Sequence, residues 1–208
     1  MPYLGKEPNA SPSQTLGTGA AEDILLKLDG NAVDYHIGLD DSADKLTFGK
    51  GSTLGTTTSM TFDTNGIMDM PLQPAVHAHL ASNQSVNNTT ITKLSLATEV
   101  YDRNNDFDSS TNYRFTAPVD GLYLAIASVH TTGTDADNLI IYIQKNGGDL
   151  FRTRTHASAS ASMAANTTGI ALLDANDYLE VFVHHNFGGA TNMTGSKEYT
   201  WFNVQKIA

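Results

Sequence analysis

The chain has 208 residues, and its 22 acidic and 12 basic side chains give it a formal net charge of −10. Such an acidic chain argues against nonspecific nucleic-acid binding, which requires a basic face, and no stretch approaches the roughly 18 uninterrupted apolar residues that span a membrane. The absence of cysteine excludes disulfides, thiol chemistry and thiolate metal sites. The 17 glycines, together with many Asp, Thr and Asn residues, favour strands and turns.

Residues 1–20 are rich in Pro, Ser, Thr and Gly and have no hydrophobic period. This composition is typical of a disordered tail, or of an extended arm that orders against a partner. Tyr3 and Leu4 are the candidate anchors of such an arm. The N-terminus lacks a basic region followed by an apolar core, so it does not resemble a signal peptide. We therefore predict a docking arm on a protein made and folded in a cytoplasm.

Residues 21–73 contain short strand candidates separated by turn signals, and the last candidates form a hairpin around Asn65-Gly66. These strands carry few large apolar residues, and a segment of about fifty residues makes a poor core alone. We predict a β shaft in which three copies of this segment intertwine and stabilise one another. The alternative is a small β-subdomain packed on the rest of the chain.

Residues 74–208 carry most of the aromatic residues and the clearest strand patterns. Val76, Ala78 and Leu80 alternate with other positions in residues 74–80, which is the period of a half-buried strand. Further strands are predicted at 91–101, 113–117, 122–130, 139–144, 150–156, 168–173, 178–184 and 199–207, with loops at 82–90 and 102–112 and a loop or weak strand at 157–165. About nine or ten strands without a convincing helix are the pattern of a β-sandwich or jelly roll.

A series of short motifs runs through this region in order. They are Pro74-Ala-Val-x-Ala, Val100-Tyr-Asp, Phe107-Asp108, Phe115-Thr-Ala-Pro118, Gly121-x-Tyr123, Lys145-Asn-Gly147 and Asp177-x-Leu-x-Val181. Together they resemble the complement C1q-like globular head, which has the tumour-necrosis-factor superfold. The resemblance covers residues 74–208. It implies a ten-stranded jelly roll that assembles as a tight homotrimer and acts as a binding module rather than an enzyme.

Two positions depart from the pattern of that family. Asn176-Asp177 stands where the family has Gly-Asp, and Phe202-Asn-Val204 stands where it has Phe-x-Gly. Asn tolerates a left-handed turn, so we expect the first departure to be mild. The second predicts different packing at the end of the last strand.

The stretch from Asp29 to Leu46 is similar to pieces of tail fibres and appendages of aquatic bacteriophages. This similarity implies a virion protein assembled in the host cytoplasm, and the lack of cysteine and of a signal peptide fits that origin. We predict a trimeric tail fibre or spike, whose arm docks to other virion proteins and whose head binds a host surface glycan or protein. The alternatives are a capsid decoration protein with the same fold and a non-viral carbohydrate-binding adhesin.

Two sets of residues are candidate metal ligands. His77 and His79 lie two apart on one predicted strand and so share a face. In a trimer, six such imidazoles around the axis would fill an octahedral metal shell. The simpler interpretation is two ordinary exposed histidines. His184 and His185 point to opposite faces, so at most one of them serves any given site.

The predicted loop 102–112 offers the second set, because Asp102, Asp106 and Asp108 present the oxygen ligands that Ca²⁺ prefers. The loop is not an EF-hand, since it lacks the Gly and Glu that an EF-hand needs at its sixth and twelfth positions. Asp135 and Asp137 are alternatives, and the resemblance implies calcium near the trimer apex of some heads. The simpler interpretation is solvated loop acids. No other cofactor is predicted.

Two loops are candidate receptor contacts, since binding residues concentrate on loops held by a rigid scaffold. Loop 102–112 contributes Phe107 and Asp108, and loop 187–195 contributes Phe187 and Asn192. Each phenylalanine would stack on a sugar if its ring is exposed. The alternative is that both rings point inward.

Enzyme chemistry has little support in the sequence. Gly51-Ser-Thr-Leu-Gly55 has its Ser one place too early for a nucleophile elbow. No phosphate loop, zincin motif or dinucleotide fingerprint occurs. A pair of Asp residues for glycoside cleavage stays open, because their separation is invisible in a sequence. We predict that the protein is not an enzyme.

Overall fold

The computed structural model describes residues 15–134, 138–156 and 161–208. All regular secondary structure in those residues is β-strand, which confirms the all-β prediction. No helix in the described part of the chain is long and apolar enough to cross a membrane. The chain forms two compact units, and the boundary between them falls between Leu72 and Gln73. Tyr3, Leu4 and most of the predicted arm lie outside the described residues.

The N-terminal unit contains a five-stranded sheet in which each strand pairs with its neighbour in sequence. Its strands are β1 (Ile24–Leu28), β2 (Tyr35–Asp40), β3 (Lys45–Lys50), β4 (Thr58–Phe62) and β5 (Met68–Asp69). The predicted hairpin around Asn65-Gly66 joins β4 to β5. There Gly66 has a φ of 78°, and the Asp63 carboxylate accepts hydrogen bonds from the backbone N–H groups of Asn65 and Ile67, at 2.9 and 2.8 Å.

One face of this sheet is polar and closely covered by its own chain. Its buried positions are His36, Gly38, Thr47 and Gly49. The Lys50 N–H donates to the Thr57 carbonyl oxygen at 2.9 Å, and the His36 ring donates to the Gly51 carbonyl oxygen at 3.0 Å. A Cβ added at Gly49 would lie 2.7 Å from the Thr57 carbonyl oxygen. Glycine is required where the segment that follows β3 folds back this closely.

The second unit, from Gln73 to Ala208, is the head. Its strands are β6 (Ala75–His79), β7 (Gln84–Val86), β8 (Thr92–Lys93), β9 (Thr98–Asp102), β10 (Phe107–Asp108), β11 (Arg114–Thr116), β12 (Gly121–Thr134), β13 (Asn138–Lys145), β14 (Gly148–His156), β15 (Ala161–Leu173), β16 (Tyr178–His185), β17 (Thr191–Met193) and β18 (Trp201–Lys206). They form a seven-stranded sheet in the order β7-β17-β12-β18-β6-β9, with β15 also on β12, and a six-stranded sheet in the order β10-β11-β16-β13-β14, with β8 also on β16.

The head core lies between these two sheets and follows the alternation of their strands. On β12, Tyr123, Ala125 and Ala127 are fully buried, whereas Leu122 on the other face is 38% exposed. The predicted inward positions Val76, Ala78 and Leu80 of the first head strand are also buried, which confirms that alternation. Asp120-Gly121 turns the chain into β12. The two sheets thus make the jelly-roll sandwich that the sequence predicts.

Several predicted loops contain strands. The predicted loop 82–90 contains β7, and the predicted loop 187–195 contains β17, which pairs with β7. The predicted strand 91–101 is divided into β8 and β9, with Leu94 and Leu96 buried between them. Residues 161–165, predicted as a loop or weak strand, belong to β15, which pairs with β12 over most of its length. Each of these strands is defined by distant pairing, which local patterns do not display.

The turn before β16 explains how the chain accommodates Asn176. This residue has a φ of 74°, the left-handed conformation expected at this departure from the family pattern. The Asp177 carboxylate accepts hydrogen bonds from the Asn146 side chain at 2.6 Å and the Asp174 backbone N–H at 2.8 Å. Its ion pair with Lys145, followed by these bonds, lowers the pKa of Asp177 to about 2.

Candidate functional site

The second face of the N-terminal sheet is lined by large apolar side chains. We call this surface the N-terminal apolar face, and it consists of Ile24, Leu26, Leu28, Tyr35, Ile37, Leu39, Leu46, Phe48, Met60 and Phe62. Cross-strand pairing aligns them in rows, for example Leu26 with Ile37 and Ile37 with Phe48. Leu28 is 51% exposed and Tyr35 is 53% exposed. Contiguous apolar patches of this kind mark sites of interaction.

The outward face of the seven-stranded head sheet is a second surface of unusual composition. Outward positions on β6, β12, β15 and β18 carry no Asp, Glu, Lys or Arg, although the chain is strongly acidic. Leu122 and Leu172 form a cross-strand pair on this face, and Leu172 is 68% exposed. We call this surface the head outer face. It is an uncharged patch with an apolar end.

His77 and His79 lie on the head outer face, as the sequence predicts. His79 uses Nδ1 to donate to the Leu80 carbonyl oxygen at 2.8 Å, which leaves its Nε2 lone pair free. The His77 ring lies edge-on to the rings of Tyr101 and Trp201, at 5.8 and 5.9 Å between centroids. Burial, followed by the charges of His79 and Lys197, lowers the pKa of His77. His77 is therefore neutral near pH 7.

Two polar atoms on the head outer face are buried without a hydrogen-bond partner. They are Nε2 of His77 and Oδ1 of Asn203, and these two residues are a cross-strand pair between β6 and β18. A buried polar atom without a partner costs about 1–3 kcal/mol.

Loop 102–112 uses two of its predicted metal ligands to hold its own backbone. The Asp102 carboxylate accepts hydrogen bonds from the backbone N–H groups of Asp106 and Phe107, at 3.1 and 2.8 Å. Asp108 accepts from the backbone of Thr111 at 2.9 Å and from the Asn112 side chain at 2.7 Å. Backbone hydrogen bonds, from Thr111 first, lower the pKa of Asp108. The two carboxylates cap turns of the loop.

Asp106 and Phe107 of the same loop point toward the interior. One carboxylate oxygen of Asp106, Oδ2, is buried without a partner, and burial together with the charge of Asp102 raises the pKa of Asp106 to about 6. Phe107 is only 4% exposed and belongs to the core. A hollow of about 500 Å³ beside the loop is lined partly by Asp108 and Asn176. Because the Phe107 ring is inside, it offers no platform for a sugar.

In loop 187–195, the Phe187 ring stacks on His185, with 4.6 Å between centroids, and packs against the core while staying half-buried. Asn192 lies on β17 with an exposed side chain. Met193 pairs with Thr131 near the far end of β12, whereas loop 102–112 lies near Pro118, just before β12 begins. Ten residues of strand separate these points, roughly 33 Å. The two predicted receptor loops therefore do not form one site.

Metal binding by this chain stays a prediction. No group of three or more His, Asp or Glu side chains within residues 15–134, 138–156 and 161–208 is placed to hold a metal ion. A site at His77 and His79 would need further protomers. Asp135 and Asp137 lie outside the described residues. His184 and His185 do point to opposite faces, since His185 is 0% exposed and donates to the Val86 carbonyl oxygen at 3.0 Å.

The sequence analysis missed two neighbouring arginines and a third on the same face of the sheet. Three of the four arginines of the chain, Arg114, Arg152 and Arg154, lie on the outward face of the six-stranded sheet. The spacing Arg-Thr-Arg in a predicted strand is the sequence signal for two of them, because residues two apart share a face.

Comparison with known proteins agrees with this fold. Murine APRIL superposes with a TM-score of 0.52 at 15% identity, covering 65% of this chain and 99% of APRIL. The globular domain of zebrafish complement 1qA superposes with a TM-score of 0.50 at 20% identity, covering 65% of this chain and 98% of that domain. These are a tumour-necrosis-factor-family protein and a C1q globular domain.

Sequence comparison is less informative. No family model matches the chain. An uncharacterised Bacillus subtilis protein, YqcC, is 26% identical over 129 residues, which cover 56% of this chain and 35% of YqcC. The chain thus spans about a third of the length of that relative. From the structural likeness, we conclude that the head of this protein is a jelly roll of the C1q and tumour-necrosis-factor type.

Proposed function

We propose that the protein is a homotrimeric appendage of a bacteriophage virion, a tail fibre or spike whose jelly-roll head binds a receptor on the host surface. The observation that carries the proposal is the N-terminal apolar face, a row of large side chains with no cover from its own sheet. A strand meander of this kind is stable only when its apolar face is buried. Further copies of the same chain would supply that cover.

The energetics favour association through this face. Full burial of one Leu, Ile or Phe side chain contributes roughly 1.5–3 kcal/mol. Leu26, Leu28 and Tyr35 alone are 43%, 51% and 53% exposed. Coverage of the remaining exposed area of the face therefore contributes toward the cost of association, which is about 4–15 kcal/mol.

The head outer face supports self-association independently. A neighbouring copy that packs there would bury the exposed Leu122 and Leu172 pair. The C1q-type fold supports a trimer as the assembly, because the family resemblance implies one. Three heads on one stalk provide avidity, so weak contacts to a surface receptor suffice.

The virion role rests on the resemblance of residues 29–46 to phage appendages and on a chain without cysteine. A relative in a bacterium fits a prokaryotic setting. In this proposal residues 1–20 bind other virion proteins, and the head contacts a glycan or protein of the host. The protein is then a structural component rather than an enzyme.

Light scattering on the full-length protein tests the assembly. Leu25 and Leu26 are neighbours on β1, are 39% and 43% exposed, and point to opposite faces of the sheet. We expect a trimer for the wild type and for L25E at all concentrations, and a trimer that dissociates more readily on dilution for L26E, because L26E keeps the head contacts and loses those of the N-terminal apolar face. A monomeric wild type, or equal losses in both variants, contradicts the proposal.

A binding experiment distinguishes the virion roles. A tail-fibre protein without residues 1–20 keeps its binding to host cells, because the head carries that contact. A capsid decoration protein binds empty capsids and loses that binding with the same deletion. An adhesin binds glycans and binds no virion component. Retained cell binding by the deletion variant, with loss of virion incorporation, is the expected result.

A further inference from the structure

The outward face of the six-stranded head sheet contains a small groove with two arginines on its side. Cross-strand pairing aligns Arg154 with Ile140, and Arg152 with Tyr142. These four residues line a hollow of about 310 Å³. Ile140 is 8% exposed and Tyr142 is 5% exposed, whereas both arginines are exposed. The groove therefore has an apolar and aromatic floor and a cationic side.

The two guanidinium groups have no anionic partner. Neither Arg152 nor Arg154 forms an ion pair or a side-chain hydrogen bond within the part of the chain that the structure describes. Two other cations on this face are engaged, since Lys93 pairs with Glu180, and Arg114 lies 4.3 Å above the Tyr178 ring. In a chain with 22 acidic residues, two adjacent unpaired arginines are a distinct local feature.

His184 lies on the same face of the sheet, beside the groove. It pairs with Ile140 on the strand opposite Arg154, so all three side chains share one face. Its Nδ1 atom is buried without a hydrogen-bond partner. Burial, followed by His185 and Arg154, lowers the pKa of His184, which keeps the ring neutral near pH 7. The His184 ring therefore borders the groove as a neutral group and adds no charge to it.

We propose that this groove binds the anionic group of a single sugar residue, a carboxylate or a phosphate carried on the ring. Guanidinium groups match both anions through paired hydrogen bonds, and the Ile140 and Tyr142 floor provides an apolar surface for the face of the ring. The inference deepens the proposed function and rests on it, since it names the class of surface receptor that the head would bind.

The size and charge of the groove favour this ligand over larger polyanions. Its volume is near the lower end of small-molecule sites, which suits one ring. The net charge of −10 repels long polyanions such as nucleic acids, whose binding depends on an extended basic surface. An acidic peptide carries the same anionic groups but requires a longer binding groove. The test below includes such a peptide.

Calorimetry on the full-length protein tests the proposal with four probes: glucuronic acid, glucose 6-phosphate, glucose, and a hexapeptide of glutamate. We expect one or both anionic sugars to bind and glucose not to bind, and the two anionic sugars distinguish a carboxylate source from a phosphate source. Binding of glucose with equal affinity overturns the proposal. Tighter binding of the peptide than of either sugar also overturns it.

Variants locate the binding. R152Q/R154Q should raise the Kd for the anionic sugar by roughly tenfold or more, and R152K/R154K should cost less, because lysine keeps the charge and loses the paired geometry. K45Q/K50Q removes the same charge from exposed positions of the N-terminal sheet and should leave the Kd unchanged. An equal loss of sugar affinity in R152Q/R154Q and K45Q/K50Q would overturn the assignment of the site to the groove. No loss of affinity in R152Q/R154Q would overturn it as well.

Light scattering on the same samples separates this inference from the proposed function. An intact trimer that attaches to host cells but binds no anionic sugar overturns the groove alone. A monomer that binds the sugar through Arg152 and Arg154 overturns the trimeric appendage and keeps the groove. Both arginines are exposed, so the variants should keep the melting temperature of the wild type, and a thermal melt verifies this.

Discussion

The two units of this protein bury opposite kinds of residue. The head places Phe115, Tyr123 and Phe202 at 0% exposure between its sheets. The N-terminal sheet buries His36 and Thr47, at 1% and 3% exposure, with two glycines beside them, and turns its large apolar side chains outward. Both units obey the alternation of strands. Among the described residues, the head has a second sheet that covers its apolar face, and the N-terminal unit has a single sheet.

This difference indicates where each unit obtains its stability. The head contains a core large enough to fold as a single copy, in keeping with the size of ordinary domains. The N-terminal sheet has one layer, and one layer cannot bury an apolar face. If the proposed assembly covers this face, we expect the stability of the N-terminal sheet to depend on protein concentration.

Truncation of one aromatic in each unit gives the largest expected effect. F202A should lower the free energy of unfolding of the head by about 3–5 kcal/mol at every protein concentration, because it creates a core cavity. F48A, on the N-terminal apolar face, should lower the free energy of unfolding by a larger amount as the protein is diluted, since other copies provide part of the burial of Phe48. Thermal denaturation over a dilution series measures both. If the loss of stability were independent of protein concentration in both variants, the N-terminal sheet would not depend on assembly, and the contrast between the two units would be wrong.

A smaller effect is expected on the polar face of the N-terminal sheet, which its own chain closes. A Cβ added at Gly38 would meet Leu54 and lie 2.5 Å from the Ile24 carbonyl oxygen. G38A should destabilise the protein by about 1–3 kcal/mol through overpacking. The control G189A meets nothing within 4 Å and should change stability by less than about 0.5 kcal/mol. Chemical denaturation measures both variants. Equal midpoints would show that the face around Gly38 has room for a Cβ atom and is not closely covered.

Local patterns in the sequence were sufficient for the parts of the fold that depend on neighbours in the chain. The alternation of Val76, Ala78 and Leu80 predicts the inward face of β6, and the Asn65-Gly66 pair predicts the turn between β4 and β5. Asn176 adopts the left-handed conformation that its substitution for Gly predicts. Each of these features depends on the alternation of side chains or on the φ angle of one residue.

Features that depend on distant strands were not visible. β7 and β17 are short polar segments that become strands only because they pair with each other. Phe107, in a polar loop, packs inward because the strand pairing of β10 with β11 turns its ring to the core. The arginine groove could not be predicted for the same reason, because the pairing of Arg152 with Tyr142 depends on the register of two strands.

The N-terminal apolar face shows this limit most clearly. Residues 21–73 contain few large apolar residues, which predicts a poor core. In the structure the buried side chains of this sheet are His36 and Thr47, and the large apolar side chains are exposed or half-buried. The register of β1 to β4 nonetheless collects those few residues on one face. Counting apolar residues underestimates such a surface, because its size depends on alignment across strands rather than on composition.

The smallest expected effect uses pH to sharpen the contrast between the units. Asp34, Asp40 and Asp63 of the N-terminal unit are half-buried carboxylates whose pKa is lowered by side-chain and backbone hydrogen bonds. Asp106 of the head is the opposite case, since burial and the charge of Asp102 raise its pKa to about 6. The head therefore has a carboxylate whose pKa is raised, in contrast to these three carboxylates of the N-terminal unit.

A raised folded-state pKa means that Asp106 stabilises the head while it is protonated. Its contribution is fully present below the unfolded pKa of about 3.9 and is lost as pH rises through about 6. D106N should therefore raise the free energy of unfolding above pH 6 by roughly 1–2 kcal/mol, given 1.36 kcal/mol per pKa unit, and leave it unchanged near pH 3. Urea denaturation across that range measures the difference. A constant difference at all pH values would mean that Asp106 is ionised throughout, and that its buried oxygen has a partner in solution.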